Sequence, residues 1–182
     1  MIWPLIRRSQ RGPDTISILY GMIVAQARLP CFYRDYAVAD TVNGRFELVL
    51  LHLSMALGRL FAEPGLRRLG QALFDRFCRD MDDNLREMGV GDLSVPKKMR
   101  HIGDAFNGRS QVYQAALKTG EEQALAAAIA RNVYDGSTAD EAPSRRLAAY
   151  IRRAHDELAA QPAAALSVGK LHFPDPSAKV LG

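Results

Sequence analysis

Asp80, Asp83 and Glu87 are spaced by three and four residues, so on a helix their carboxylates share one face. Such a face can pair with its own neighbours in water, receive a basic partner, or hold a metal ion. The metal reading ranks last. Carboxylate-bridged bundles supply Glu-x-x-His from paired helices, and His52, His101, His155 and His172 stand at no such spacing from a Glu. The two other readings stay open, because Asp75, Arg79, Asp82 and Arg86 alternate in sign on a neighbouring stripe and favour self-pairing.

Arg109 is the second residue that asks for a role. It interrupts an apolar stripe of Met99, Ile102, Phe106, Tyr113 and Leu117, and a guanidinium cannot shed its proton when buried. Either an internal acid answers it, or the stripe opens at a groove where Arg109 and Tyr113 meet a partner. The groove reading is preferred. Gly103 and Gly108 would permit close backbone approach there, and no lone acid shares an apolar stripe.

Catalysis finds little support. Ser54, Ser110 and Ser137 sit in no Gly-x-Ser-x-Gly turn, and Cys31 and Cys78 have no His nearby in sequence. His101 and Asp104, one turn apart, read as a surface pair. Gly103-x-x-x-x-Gly108 lacks the lysine of a phosphate loop. Lys97, Lys98 and Arg100 form a basic cluster, but seven acids between Asp75 and Asp104 would repel nucleic-acid phosphate. His52, between Leu51 and Leu53, is the one histidine placed to point inward as a haem-type ligand. A satisfied helix histidine is the commoner case. Neither a metal nor a cofactor is expected.

The elements that position these residues read as helices. At 182 residues with a net charge of +4, the chain is long enough for one substantial core. Two cysteines make no disulfide scaffold. Pro13-Asp14 opens a helix to about Leu29 whose apolar residues wrap most of its circumference, which predicts a central, covered helix. Residues 30–40 read as an aromatic-bearing connection. Asp40 or Thr41 caps a second helix to about Phe61, and Pro64 opens a third whose stripe runs Leu66, Leu69, Leu73, Phe77, Met81, Leu85, Met88 to a stop at Gly89. Pro96 starts a fourth, closed by Gly120; a fifth spans residues 121–134 and a sixth residues 142–160.

The fold expected is therefore all-α, a single-domain bundle of five to seven helices. Residues 1–12 form a basic N-terminal arm, 13–160 the helical domain, and 161–182 an extended C-terminal tail on the surface. The apolar-before-basic start, Met1 to Arg8, reverses a signal peptide, and the greasiest segment, Leu48–Leu60, is too short to span a bilayer. Trp3, Leu5 and Ile6 beside Arg7, Arg8 and Arg11 read as a frayed terminus ahead of an interfacial anchor.

Leu73–Tyr113, with its FDRFCRDMDDNLREMGVGDLSVPKKM, resembles the core of the ubiquinol–cytochrome c chaperone family, assembly factors of respiratory complex III. Tyr20-Gly21-Met22-Ile23-Val24-Ala25-Gln26-Ala27-Arg28-Leu29-Pro30, Phe32-Tyr33, Asp40 to Glu47 and Leu51-His52 carry the same likeness, which covers roughly residues 15–120. It departs at Asn107, where the family pattern has an aromatic before the Gly-Arg. The resemblance implies a helical protein without catalysis that binds newly made cytochrome b and promotes its assembly. It leaves open a ribosome contact or a small partner subunit. A bacterial form is implied, cytoplasmic and peripheral at the inner face of the inner membrane. The candidate contact set is Asp80, Asp83, Glu87, Asp92, Lys97, Lys98, Phe106, Arg109 and Tyr113. A small ligand or haem carrier, or an enzyme with an unrecognised pocket, is the alternative.

Overall fold

The computed structural model describes residues 14–136 and 142–178. Among them the chain forms eight α-helices and one 3₁₀ turn, with no strand. They are α1 (Thr15–Ala27), α2 (Pro30–Arg34), α3 (Val42–Ala62), the 3₁₀ turn Pro64–Leu66, α4 (Arg67–Glu87), α5 (Val95–Thr119), α6 (Glu122–Val133), α7 (Ala142–Ala160) and α8 (Ala163–Ser167). Six are long and two are five-residue helices. The all-α single-domain bundle read from periodicity is the fold found. The expected N-terminal arm lies outside the described residues.

Local chemistry sets the helix ends. Asp14 caps α1, its Oδ1 accepting from Ser17 N at 2.7 Å, and Thr41 caps α3, its Oγ1 accepting from Gly44 N at 3.1 Å. Gly89, at φ 80°, ends α4 in a Schellman turn: Val90 N donates to Leu85 O and Gly89 N to Arg86 O. Gly120, at φ 75°, takes the left-handed conformation at the end of α5. Pro30 does not merely stop α1. It sits in the first turn of α2, which replaces the expected irregular connection.

The central helix is α3, not α1. α3 packs against α1, α4, α5, α6 and α7, and its run Glu47–Leu57 is buried without a break. α1 buries only Leu19, Tyr20, Ile23 and Ala27, leaving Ile18 and Met22 more than a third exposed. The wrap of apolar residues on α1 thus reflects an apolar outer face, not a covered position. Among the described residues, Thr15–Arg34 is a stretch long and apolar enough to cross a membrane by composition, with a mean hydropathy of 1.3. Here it bends between α1 and α2 and packs one side on the core.

The tail expected to be extended from residue 161 first forms α8, is extended only after it, and is no loose surface segment. Leu166, Leu171 and Phe173 are buried. Gln26 Nε2 donates to Pro174 O (3.0 Å), Tyr36 Oη to Pro176 O (2.6 Å) and Gln161 Nε2 to His172 O (2.8 Å), strapping residues 171–176 across α1, α2 and α7. Phe173 closes an aromatic nest of Phe32, Tyr36, His52 and Tyr150, its ring 5.2 Å from that of His52.

Candidate functional site

Arg109 finds its partner on α3. Its Nε and Nη2 each lie 2.6 Å from a carboxylate oxygen of Glu47, a bidentate pair between α5 and α3. Glu47 is buried, and burial pushes its carboxyl above the ordinary range even though the Arg109 guanidinium pulls the other way. This corrects the preference for a groove. A lone acid does share the apolar surface, but it lies 62 positions upstream on another helix.

Two more members of the contact set belong to the core. Phe106 is buried against Phe74 and Phe77, with ring centroids 5.0 and 6.0 Å away, and locks α5 onto α4. Tyr113 is 1% exposed. Asn132 lies beside its hydroxyl, but that amide donates to Ala128 O at 2.9 Å, and Tyr113 Oη has no hydrogen-bond partner among the described residues. Gly103 and Gly108 meet nothing that a Cβ would touch. The close approach of α5 to α3 occurs instead at Gly58, where a Cβ would stand 2.3 Å from Gln114 Nε2.

The acidic residues divide. Asp80 turns inward between helices: its Oδ2 accepts from Tyr20 Oη at 2.7 Å, and Arg76 pairs with it at 3.5 Å while lying over the Tyr20 ring. It is a clasp between α1 and α4, not a free contact. Arg86 pairs with Asp82 at 2.6 Å and also with Asp92, fastening the end of α4 to the joint that follows. Asp83 and Glu87 are exposed and carry no ion pair among the described residues; Lys97 and Lys98 are exposed on the first turn of α5.

What the joint adds is apolar surface. Leu93 is 98% exposed and Met88 63% exposed, on either side of the Gly89 turn. Met88 had read as the last rung of the α4 core stripe; the stripe runs past the end of the core and emerges. Ser94 N and Val95 N both donate to Gly91 O, so the turn presenting Leu93 is itself hydrogen-bonded. The signal was available in sequence as a leucine in a loop between two helices, at a position no helical stripe could cover. The joint thus exposes two apolar side chains in a stretch that also exposes Asp83, Glu87 and Asp92, with Lys97 and Lys98 on the following turn.

His52 is 0% exposed, and both its nitrogens are engaged. Nδ1 lies 2.7 Å from Leu48 O and Nε2 lies 2.9 Å from Tyr150 Oη. A carbonyl can only accept, so Nδ1 carries the proton and Nε2 accepts from the Tyr150 hydroxyl. Tyr150 Oη in turn accepts from Gln26 Nε2 at 3.0 Å. Burial lowers the His52 pKa to about 4, and the ring works as a structural link among α1, α3 and α7. A concavity of about 640 Å³ between α6 and α7 is lined by Ala126, Ala127 and Ala130 with Glu122, Arg131 and Arg145 and holds no histidine or cysteine.

The family pattern described as Ubiquinol-cytochrome C chaperone matches residues 34–173, so it continues past the residue 120 limit of the first likeness and reaches the first part of the strap; α1 lies outside it. The chain is 23% identical over 146 residues to "Ubiquinol-cytochrome c reductase complex assembly factor 1" of Drosophila melanogaster, covering 76% of this chain but 56% of that protein's length. The crystal structure of the Cbp3 homolog from Brucella abortus matches with a TM-score of 0.82 and 38% identity, over 89% of this chain and 90% of that one. With a family pattern running from α2 to the strap and a shared fold, the chain belongs to the ubiquinol–cytochrome c chaperone family.

Proposed function

We propose that this protein is an assembly chaperone of complex III that holds newly made cytochrome b, without catalysing a reaction. Family membership supports the assembly role, and the Drosophila relative carries it in its name. The observation that carries the binding mode is Leu93, 98% exposed on a hydrogen-bonded turn, in a stretch that also exposes Met88, Asp83, Glu87 and Asp92. An exposed apolar joint in an acidic stretch suits a segment that is apolar with basic flanks, as the ends of a membrane-protein helix are. The working place is the inner face of the inner membrane, with the protein peripheral there. A ribosome or a small partner subunit is a further candidate for the same surface, and no nucleic acid is read directly.

The test is a tagged pull-down from membranes making complex III, probed for cytochrome b. Wild-type protein should retain it, and Leu93→Asp with Met88→Asp should lose it while keeping wild-type helicity and melting. Retention by the double variant would move the binding site elsewhere. Failure of the wild-type protein to retain cytochrome b would overturn the reading.

A further inference from the structure

Ile18, Phe61 and Val168, large apolar residues that stay exposed, gather at one end of the bundle. Phe61, 41% exposed, stands on the last turn of α3, and Val168, 61% exposed, closes α8. α8 packs on the Pro64–Leu66 turn that follows Phe61. Arg59 fastens this end of α3 to the end of α7, donating to Leu158 O at 3.1 Å and to Gln161 O at 2.9 Å. Ile18 arrives from α1: a Cβ at Gly169, next to Val168, would lie 3.4 Å from Ile18 Cγ2. Phe61 is backed by α4, since a Cβ at Gly70 would stand 3.0 Å from its Cε1.

Cations accompany these side chains. Arg67, Arg68 and Lys170 are exposed and carry no ion pair among the described residues. Arg67 Nε donates to Phe61 O at 3.4 Å, which sets one guanidinium beside the exposed phenylalanine. The acids at this end are engaged. Glu63 pairs with Arg59 at 4.0 Å, Glu157 lies 3.4 Å from His172 Nδ1, and Asp14 caps α1. Apolar side chains standing singly among unpaired cations match a layer that is anionic at its surface and hydrocarbon beneath.

We propose that this end of the bundle meets an anionic phospholipid surface, with Phe61 and Val168 entering between headgroups and Arg67, Arg68 and Lys170 resting on lipid phosphates. The inference rests on the peripheral membrane location proposed above and gives it a face. The Met88–Leu93 joint stands beyond the far end of α4, about 30 Å from Arg67 at the helical rise. The lipid end and the joint therefore do not overlap.

Flotation of the full-length protein with protein-free vesicles tests this. Wild-type protein should float with vesicles containing phosphatidylglycerol, less so at high salt, and stay behind with pure phosphatidylcholine. Each basic side chain near an anionic surface is worth roughly fivefold in partition, so Arg67→Glu with Arg68→Glu should lower flotation by more than about tenfold. Phe61→Asp with Val168→Asp should also lower it while circular dichroism keeps wild-type helicity. Val168→Asp alone serves if the Phe61 change disturbs the fold. Met88→Asp with Leu93→Asp should float like wild type. Wild-type protein that ignores phosphatidylglycerol, or binds both vesicles equally, would overturn the proposal. So would flotation that survives the variants of this end, or that is lost only in the joint variant. The vesicles hold no cytochrome b, so a failure here is distinct from a failure to retain cytochrome b in the pull-down.

Discussion

Arg109 and Glu47 form a bidentate pair, two nitrogens each 2.6 Å from a carboxylate oxygen, across the contact between the central helix and α5. Glu47 is 1% exposed, whereas the Arg109 side chain is 25% exposed, so the acid is the member that depends on its partner.

Removing the cation strands the anion. Arg109→Met should destabilise the fold by on the order of 3–5 kcal/mol in urea unfolding at neutral pH. The folded-state pKa of Glu47 is already raised and would rise further, so the folded variant holds a proton more tightly than its unfolded chain. The loss relative to wild type should therefore be largest at neutral pH and shrink as pH falls. Adding Glu47→Leu to Arg109→Met should recover much of the stability. A single variant that melts like wild type would refute the pairing.

His52 predicts a pH dependence of opposite sign. Its folded pKa is about 4, against 6.5 for an ordinary histidine. Between those values the unfolded chain binds the proton and the folded one does not, so stability is intact above pH 6.5 and falls as pH drops toward 4. The slope approaches ~1.4 kcal/mol per pH unit, on the order of 3 kcal/mol across the window. Urea titrations at pH 7 and pH 4.5 measure it, and His52→Gln should flatten the slope between them.

Gly44→Ala sets helix propensity against sterics. Alanine is the better helix former by about 1 kcal/mol, yet a Cβ at Gly44 would stand 2.0 Å from the backbone oxygen of Ala39. A backbone atom cannot swing away as a side chain can, so sterics should win, with a net loss of about 1–3 kcal/mol in thermal or urea unfolding. A variant as stable as wild type would show that the turn before α3 yields easily.

The acids of α4 should separate under charge reversal. Asp83→Lys and Glu87→Lys alter exposed residues that carry no ion pair among the described residues and should change stability by no more than about 0.5 kcal/mol. Asp80→Lys breaks the bond from Tyr20 and places a cation beside Arg76, and should cost about 2 kcal/mol. Equal melting of all three would mean that the α1–α4 clasp contributes nothing.

Tyr113→Phe removes a buried hydroxyl that has no partner among the described residues. The change should be neutral or stabilising, by up to about 1 kcal/mol. A clear loss of stability would show that the hydroxyl is bonded.

Helix ends were legible because each is set by one or two local residues: Thr41, Gly89, Pro96 and Gly120 each act within a few positions of themselves. The third-dimension facts were not. Periodicity finds the face of a helix but not what covers it, which is why α1 read as central while its outer face is bare, and why Met88 read as core. The Glu47–Arg109 partnership joins residues 62 positions apart. Glu47 begins an eleven-residue buried run that has no polar side to give it away, so no spacing rule pairs the two. Of the contact set, Asp83, Glu87, Asp92, Lys97 and Lys98 are exposed, whereas Phe106 and Tyr113 were chosen for the stripe that buries them.

The strap also imposes an order in time. Tyr36 bonds to Pro176 across 140 positions, and Phe173 covers a histidine made some 120 residues before it. At the usual 5–20 residues per second of synthesis, that interval is on the order of 10 s. Throughout it, α1 and α3 can pair, but the nest around His52 stays open on the side Phe173 will close. The contacts that finish the core are thus those of greatest sequence separation, which slow folding most. Ribosome-bound chains arrested before residue 171 should accordingly be far more protease-sensitive around His52 than chains released with the strap in place.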